Sequence, residues 1–339
     1  MRTIPTNAPR CARRGLTIAE TLVAIACLGI LLPLLAASGA ARPNRERMCA
    51  YRLGKLGSAM LMYTIEHAGS LPGSPGTSGA GLILDYAGTP GSAVDIPGPL
   101  TQTWDWAGPL TGYLGVVPHA NRAKRAEQYR LGKFWCPSNN IVSYPYAEGS
   151  VGPVGDWNVV RMVSYNSVRN LLLFGDDAPA IPGLGGREKW SSAIGLLIEF
   201  PDNYAPKLSL LANPAGKVSL SDGSRFTFDG MVNHDIGLLA AAGGMYSDGG
   251  PTLQEVYLRS FRFDLPDKSF SYRHSHGSDF GLNAVFYDGH VTWMSESATR
   301  HPQWWFPPGT SIPWGEMNRD ARMQVLDEID LLTGRYNVP

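Results

Sequence analysis

The sequence predicts an α+β fold in which a long N-terminal helix packs against an antiparallel sheet within a large head. Three features support this fold class. An apolar run over 16–41 follows a basic N-terminus, a helical stripe follows that run, and a hairpin pattern occupies 282–294. With 339 residues, 44% of them hydrophobic, the chain has enough apolar material for a sizeable core.

The charge distribution argues against a nucleic-acid-binding protein. The chain carries 29 basic and 29 acidic residues, but four arginines and no acid fall within 1–15. The remainder is therefore slightly acidic, which is unfavourable for contact with phosphates. The four cysteines form no C-x-x-C pair, so neither a zinc ribbon nor a thioredoxin-like site is indicated.

The apolar run over 16–41 is long enough to cross a membrane. As a helix its roughly 26 residues rise about 39 Å, against about 30 Å for the hydrocarbon core. Because the arginines precede the run, we expect them to stay cytoplasmic and the rest of the chain to lie outside. A cleaved secretory signal is the alternative, with small residues at 36–40 as its cleavage site. The only charge in the run is Glu20, and a carboxylate in hydrocarbon needs a partner or a function.

The junction Arg-Arg-Gly-Leu at 13–16, with Glu20 after it, resembles the N-terminus of type IV prepilins and type II secretion pseudopilins. In that family a basic leader ends in Gly, a hydrophobic residue follows, and Glu is the fifth residue of the mature chain. The resemblance implies cleavage between Gly15 and Leu16, methylation of the Leu16 amine, and pairing of Glu20 with the N-terminal amine of a neighbouring subunit. Leu16 departs from the commoner Phe, and Ala19 from the usual branched residue.

This resemblance also implies a domain organisation and a set of partners. We expect a leader over 1–15, a transmembrane and pilin N-terminal helix over 16–67, and an extracytoplasmic head over 68–339. A prepilin peptidase would cleave and methylate the chain, and an ATPase-driven platform would assemble it with other pilin subunits. The protein would cross the inner (cytoplasmic) membrane once, with its head in a periplasmic or surface filament.

A second helical pattern follows the apolar run. Apolar residues recur at spacings of four and three on one face: Cys49, Leu53, Leu56, Met60 and Tyr63. This stripe predicts the face on which the head packs, not a cofactor site. Gly and Pro residues over 69–76 predict the end of the helix.

The rest of the chain resembles a prepilin-like family that has a Cys, a Leu-rich helix, a Leu-Pro exit and a C-terminal His-x9-Asp-Gly motif. The corresponding segments here include Leu-Pro at 71–72 and Cys-Pro-Ser at 136–138. If the head is extracytoplasmic, Cys49 and Cys136 lie where disulfides persist. We expect a bridge between them to tie the helix to the head and to contribute about 2–5 kcal/mol. Two free thiols are the alternative.

The C-terminal motif occupies 273–294. Asp288-Gly289 between two apolar runs predicts strands at 282–287 and 290–294 joined by a type I′ turn. This corresponds to the family's His-x9-Asp-Gly ending, with a departure. Eleven residues separate His276 from Asp288, and thirteen separate His274 from it.

The same stretch contains side chains that can bind a divalent metal. They are His274, His276, Asp279, Asp288 and His290. The preferred interpretation is that a loop histidine hydrogen-bonds the hairpin turn and that Asp288 satisfies its own turn backbone. We therefore expect no cofactor, no catalytic residue and no enzyme activity. A metal-dependent hydrolase built on the histidines is the alternative.

Three further apolar stretches predict elements of the head. Those at 194–200 and 208–211 predict buried strands, and the one at 316–332 predicts a final amphipathic helix. The resemblance to prepilins implies a pilin-like structural subunit of a type IV pilus-like or type II secretion-like filament. The alternative is a membrane-tethered protein that never polymerises and binds a ligand or metal through its head.

Overall fold

The computed structural model describes residues 45–79, 98–146, 160–175, 197–223, 227–228, 231–235, 246–248, 250–253 and 272–339. The predicted leader and membrane segment lie outside these ranges. Glu46–Pro339 form one unit of the structure.

The described residues contain helices, strands and short 3₁₀ turns. The α-helices are α1 over 45–66, α2 Ala107–Leu110, α3 Arg122–Gln128, α4 Glu296–Thr299 and α5 Arg319–Gln324. The strands are β1 Val142–Tyr146, β2 Val160–Arg161, β3 Tyr165–Val168, β4 Val218–Asp222, β5 Thr227–Phe228, β6 Met231–Asp235, β7 Ser247–Asp248, β8 His274–His276, β9 Asp279–Phe286, β10 Val291–Ser295, β11 Ser311–Pro313 and β12 Arg335–Asn337.

The largest sheet has six strands in the order β10-β9-β4-β3-β7, with β8 paired to β9. Every pairing in it is antiparallel except β3 with β7. All five residues of β4 and the last six of β9 are buried, so these central strands are covered on both faces. A four-stranded sheet, β2-β1-β6-β5, and the β11–β12 pair complete the pattern. The mixed helix-and-sheet class with an antiparallel sheet is confirmed.

Helix α1 buries the stripe that the sequence predicts. Cys49, Leu53 and Leu56 are fully buried, and Met60 and Tyr63 are nearly so. The opposite face is exposed at Tyr51 and Ile65, among other positions, as expected for an amphipathic helix. The helix ends at residue 66, and Gly69 follows it with φ +83°, the left-handed conformation that suits glycine after a helix.

The predicted strand at 208–211 is wrong. Leu208–Leu210 forms a 3₁₀ helix, not a strand, because its backbone is held by the chain leaving α1: the Leu208 N–H donates to Gly69 O at 2.8 Å. The other apolar stretch, at 194–200, is described only from residue 197, where Glu199 forms an isolated bridge with Ser311.

The predicted helix over 316–332 is also wrong, because only its first part is helical. The side chain of Asn318 caps α5 by accepting the Ala321 N–H at 2.9 Å, and the helix ends at Val325, where φ is −117°. A 3₁₀ turn at Leu326–Glu328 and a tight turn then lead into β12. A helix unbroken to residue 332 would place Leu332 on the same face as the buried Ala321 and Val325, but Leu332 is 96% exposed.

Candidate functional site

The C-terminal hairpin β9–β10 is present, but its turn differs from the predicted type I′ turn. The Gly289 N–H donates to Phe286 O at 2.9 Å, and the Phe286 N–H donates to His290 O at 3.0 Å. A type I′ turn needs positive φ at both central residues, whereas here Gly289, at +91°, has positive φ and Asp288 does not. The loop therefore has three residues, with Gly289 in the bulge position. At the turn each strand stops one residue short of its predicted bound, and β9 begins three residues earlier than predicted, at Asp279.

Asp288 caps this turn as the sequence predicts. Its Oδ1 accepts the backbone N–H of His290 at 3.1 Å and lies 2.6 Å from Nδ1 of the same histidine. Burial raises the pKa of Asp288, but the bonds from His290 outweigh it and leave the pKa below its usual value. The imidazole of His290 also stacks on Phe286 at 4.3 Å between ring centroids. Asp288 and His290 are thus engaged with the turn itself.

Helix α1 packs directly on this hairpin. A Cβ on Gly57 would lie 2.4 Å from Cγ2 of Val285 in β9, and one on Gly54 would lie 3.4 Å from Cγ2 of Val291 in β10. The absence of a side chain at Gly57 allows the helix backbone to approach β9 closely, whereas Gly54 has room for a methyl group. The hairpin is thereby the surface that positions α1 on the head.

A disulfide between Cys49 and Cys136 joins α1 to the segment after the 3₁₀ turn Gly132–Phe134. The two residues are 87 apart in sequence, and both are fully buried. The hydroxyl of Tyr165 in β3 donates to Cys49 O at 3.2 Å, so a hydrogen bond to the sheet is the second link between α1 and the head. The resemblance implied this pairing, and the structure contains it.

A third link lies beside the disulfide. Arg52 of α1 donates from Nη1 to Trp135 O at 2.5 Å, and its guanidinium lies 5.5 Å from the Trp135 ring. The guanidinium of Arg161 lies 4.9 Å from the same ring. Contacts of this kind contribute about 0.5–2 kcal/mol, depending on their exposure. The first turns of α1 are therefore held against the head by the Cys49–Cys136 disulfide, by Tyr165 and by Arg52.

His274 lies in the interior, next to the disulfide. Its Nε2 is 3.8 Å from Cys136 Sγ and 3.3 Å from Oδ2 of the buried Asp222 in β4. The other carboxylate oxygen of Asp222 is 3.8 Å from Nη1 of Arg273, and Oδ2 accepts the Asn283 N–H at 2.7 Å. Burial lowers the pKa of Arg273, while the Asp222 carboxylate opposes that shift.

Sequence reasoning missed this buried charge cluster. Asp222 stands in a Ser-Asp-Gly-Ser run, at 221–224, which has the composition of an exposed turn. Only the pairing of β4 with β3 and β9 places Asp222 beside the residues of β8. The adjacent Arg-His at 273–274 is the sole signal in the sequence that a carboxylate is needed nearby.

The candidate metal ligands of the C-terminal stretch do not converge. His276 lies 2.6 Å from Oε1 of Glu46 in α1 and stacks on Trp293 at 4.2 Å between ring centroids. His274 faces the disulfide, and His290 faces Asp288. Across the described ranges, one set of three ligand atoms lies close enough for a single ion, and it is Cys49, Cys136 and His274, within 4.8 Å of one another.

A second buried polar network involves a residue that the sequence analysis did not select. Asp105 is fully buried and accepts hydrogen bonds from the Thr101 N–H at 2.8 Å, the Thr101 hydroxyl at 2.6 Å and the Gly108 N–H at 2.8 Å. Burial raises the pKa of Asp105 to about 6, despite these hydrogen bonds, which lower it. The Thr101 hydroxyl oxygen also lies 3.0 Å from the hydroxyl of Tyr246.

The N-terminal site residues Gly15, Leu16 and Glu20 lie outside the described residues. No helix within the described ranges is both long enough and apolar enough to span a bilayer. Comparison of the chain with protein-family models, with curated proteins and with solved structures finds no match.

Proposed function

We propose that this chain is a pilin-like subunit that is processed at a prepilin-type N-terminus and assembles into a type IV pilus-like or type II secretion-like filament. The observation that carries the proposal is the charge pattern of the N-terminus. Glu20 is the only charge in the apolar run over 16–41, and it is the fifth residue after the basic leader ending in Gly15. A carboxylate in that setting needs a cation, and the amine of Leu16 on a neighbouring subunit would supply one.

The attachment of α1 to the head supports a structural role. A filament held together by packed N-terminal helices must transmit force from each helix to its own head. Here the disulfide, the Tyr165–Cys49 hydrogen bond and the Arg52–Trp135 contact all act on the first turns of α1. Each is buried or partly buried, so solvent competes weakly for the hydrogen bonds.

The proposal includes a location and a set of partners. The chain crosses the inner membrane once through 16–41, with the arginines of the leader on the cytoplasmic side and the head outside. A prepilin peptidase removes 1–15 and methylates Leu16. Other pilin subunits and an ATPase-driven platform complete the assembly, and the chain itself performs no chemistry.

Filament incorporation of a Glu20→Ala variant tests the proposal. We expect the variant to reach the membrane at the normal level but to fall by at least about tenfold in the sheared filament fraction, because the intersubunit ion pair is lost. Glu127→Ala, which alters an exposed carboxylate on α3, is the matched control and should leave incorporation unchanged. Equal incorporation of wild type and Glu20→Ala would overturn the proposal.

An open cavity in the head favours a second candidate function, a tethered protein that binds a ligand and does not polymerise. The cavity has a volume of about 500 Å³. Carboxylates and apolar side chains line it together, among them Asp279, Glu296, Asp320, Phe280 and Met323. Such a mixed lining suits a polar ligand with an apolar face. Normal processing at Leu16 with no wild-type chain in any filament fraction would favour this second function.

A further inference from the structure

The disulfide and His274 form a compact set of metal-ligand atoms. Sγ of Cys49, Sγ of Cys136 and a ring nitrogen of His274 all lie within 4.8 Å of one another. Both cysteines are fully buried, and His274 is 3% exposed. The three residues come from α1, from the segment after the 3₁₀ turn Gly132–Phe134, and from β8, so the fold alone brings them together.

The distance between His274 and Cys136 suits zinc. Nitrogen and sulfur ligands about 2.1 and 2.3 Å from a tetrahedral zinc lie about 3.6 Å apart, and His274 Nε2 is found 3.8 Å from Cys136 Sγ. Two thiolates on one zinc lie about 3.8 Å apart, which reduced cysteines can reach by small side-chain rotations. Thiolate and imidazole are also the ligands that zinc prefers in structural sites.

Asp222 borders the site. Its Oδ2 lies 3.3 Å from His274 Nε2 and accepts the Asn283 N–H at 2.7 Å. A zinc ion with two thiolates and one neutral imidazole carries no net charge. The extra negative charge of Asp222 is balanced by Arg273, whose Nη1 lies 3.8 Å from the other carboxylate oxygen. The buried site would therefore avoid an uncompensated charge.

We propose that one zinc ion and the Cys49–Cys136 disulfide are alternative occupants of this position, with Cys49, Cys136 and His274 as the zinc ligands. A phosphine reductant breaks the S–S bond with one water, which yields two thiols and the phosphine oxide. Zinc then binds the two sulfurs as thiolates and releases two protons to solvent. Either occupant fastens α1 to the head, and because the chain is synthesised with free thiols, zinc binding and oxidation compete for them.

Titration of the reduced chain with cobalt(II), the spectroscopic substitute for zinc, tests the proposal. The full chain is reduced with a phosphine in detergent, freed of metal, and titrated without oxygen. We expect one equivalent of cobalt to give a thiolate-to-metal charge-transfer band that one equivalent of zinc abolishes. The same chain with its disulfide intact is the control and should give no such band. Far-ultraviolet circular dichroism checks that the reduced chain is folded before the titration.

Two histidine variants separate this site from adventitious thiol binding. We expect His274→Gln to weaken zinc binding by at least about tenfold, whereas His276→Gln, at the neighbouring exposed histidine, leaves it unchanged. The paired substitution of Cys49→Ser and Cys136→Ser should abolish the band even though Cys11 and Cys27 remain. Far-ultraviolet circular dichroism shows whether each variant is folded. Absence of stoichiometric binding by the reduced wild type, or equal affinity in folded His274→Gln, would overturn the proposal.

Discussion

A Cβ atom on Gly57 would lie 2.4 Å from Cγ2 of Val285, so α1 and β9 are packed with no room for a methyl group at that point. The contact joins α1, the first helix of the described residues, to a central strand of the largest sheet. Val285 is itself fully buried and has a short, stiff side chain, so it cannot move aside easily. Adding a single methyl group to α1 at Gly57 is therefore expected to disturb the packing of the helix on the head.

Gly57→Ala should destabilise the protein. Alanine gains about 1 kcal/mol of helix propensity, but overpacking against Val285 costs about 1–3 kcal/mol. We expect a net loss of about 1 kcal/mol in the free energy of unfolding, seen as a fall in Tm of about 2–4 °C. Gly54→Ala is the control and should be neutral or stabilising, because its nearest contact is an ordinary 3.4 Å. A higher Tm for Gly57→Ala would contradict the packing described.

Gly289→Ala should destabilise the hairpin for two separable reasons. Gly289 has φ +91°, which costs a non-glycine residue about 1–2 kcal/mol, and a Cβ there would lie 2.8 Å from Cδ1 of Leu61 in α1. Gly277→Ala, at φ +64° with no atom within 4 Å, reports the backbone cost alone. We expect Gly289→Ala to lower Tm by more than Gly277→Ala does. Equal effects would mean that Leu61 moves away without cost.

Removal of the disulfide should weaken the whole head. A bond closing a separation of 87 residues contributes about 4–5 kcal/mol in the chain-entropy treatment, although measured values are often smaller. We expect Cys136→Ser to lower the free energy of unfolding by about 2–5 kcal/mol in the presence of a metal chelator. Cys27→Ser, at a cysteine in the apolar run, is the control. Denaturant unfolding followed by tryptophan fluorescence measures both, and an unchanged midpoint for Cys136→Ser would contradict a structural role for the bond.

Asp105 should make stability fall as pH rises. Its pKa is about 6 in the folded protein against 3.8 for the ordinary group, so between these values the folded state holds a proton that the unfolded state has released. The contribution is therefore complete below about pH 4 and is lost as pH rises through 6, by up to about 3 kcal/mol. The free energies of unfolding of wild type and Asp105→Asn, measured at pH 4, 5, 6 and 7, isolate the contribution of Asp105. We expect the wild-type value minus the variant value to fall as pH rises. A difference that is constant or increases with pH would contradict the raised pKa of Asp105.

The sequence predicts the elements whose signals are local. The buried stripe of α1 follows from spacings of three and four, and the hairpin follows from Asp-Gly between apolar runs. The type of turn does not follow, because Asp-Gly fits both a two-residue loop and a three-residue loop with a glycine bulge. In the observed three-residue loop Gly289 packs against Leu61 of α1, and this tertiary contact cannot be read from the local sequence.

The candidate site depends on tertiary structure to a greater extent. Histidine and carboxylate residues close together in sequence, His276 and Asp288 for example, lie with different partners in the fold. Conversely, Asp222 reaches His274 only because β4 and β8 both pair with β9. The prediction of a helix over 316–332 is wrong because tertiary structure overrides the local pattern. The apolar spacing continues past Val325, but the chain turns there to form β12.

Mass spectrometry of the N-terminal peptide of the membrane-extracted protein tests the central claim most directly. The pilin-like account predicts that the chain begins at Leu16, that residues 1–15 are absent, and that the Leu16 amine carries a methyl group. A chain that begins near residue 39 or 40 would indicate an ordinary secretory signal. A chain that retains residues 1–15 would show that no prepilin peptidase acts on it, and either result would contradict the account.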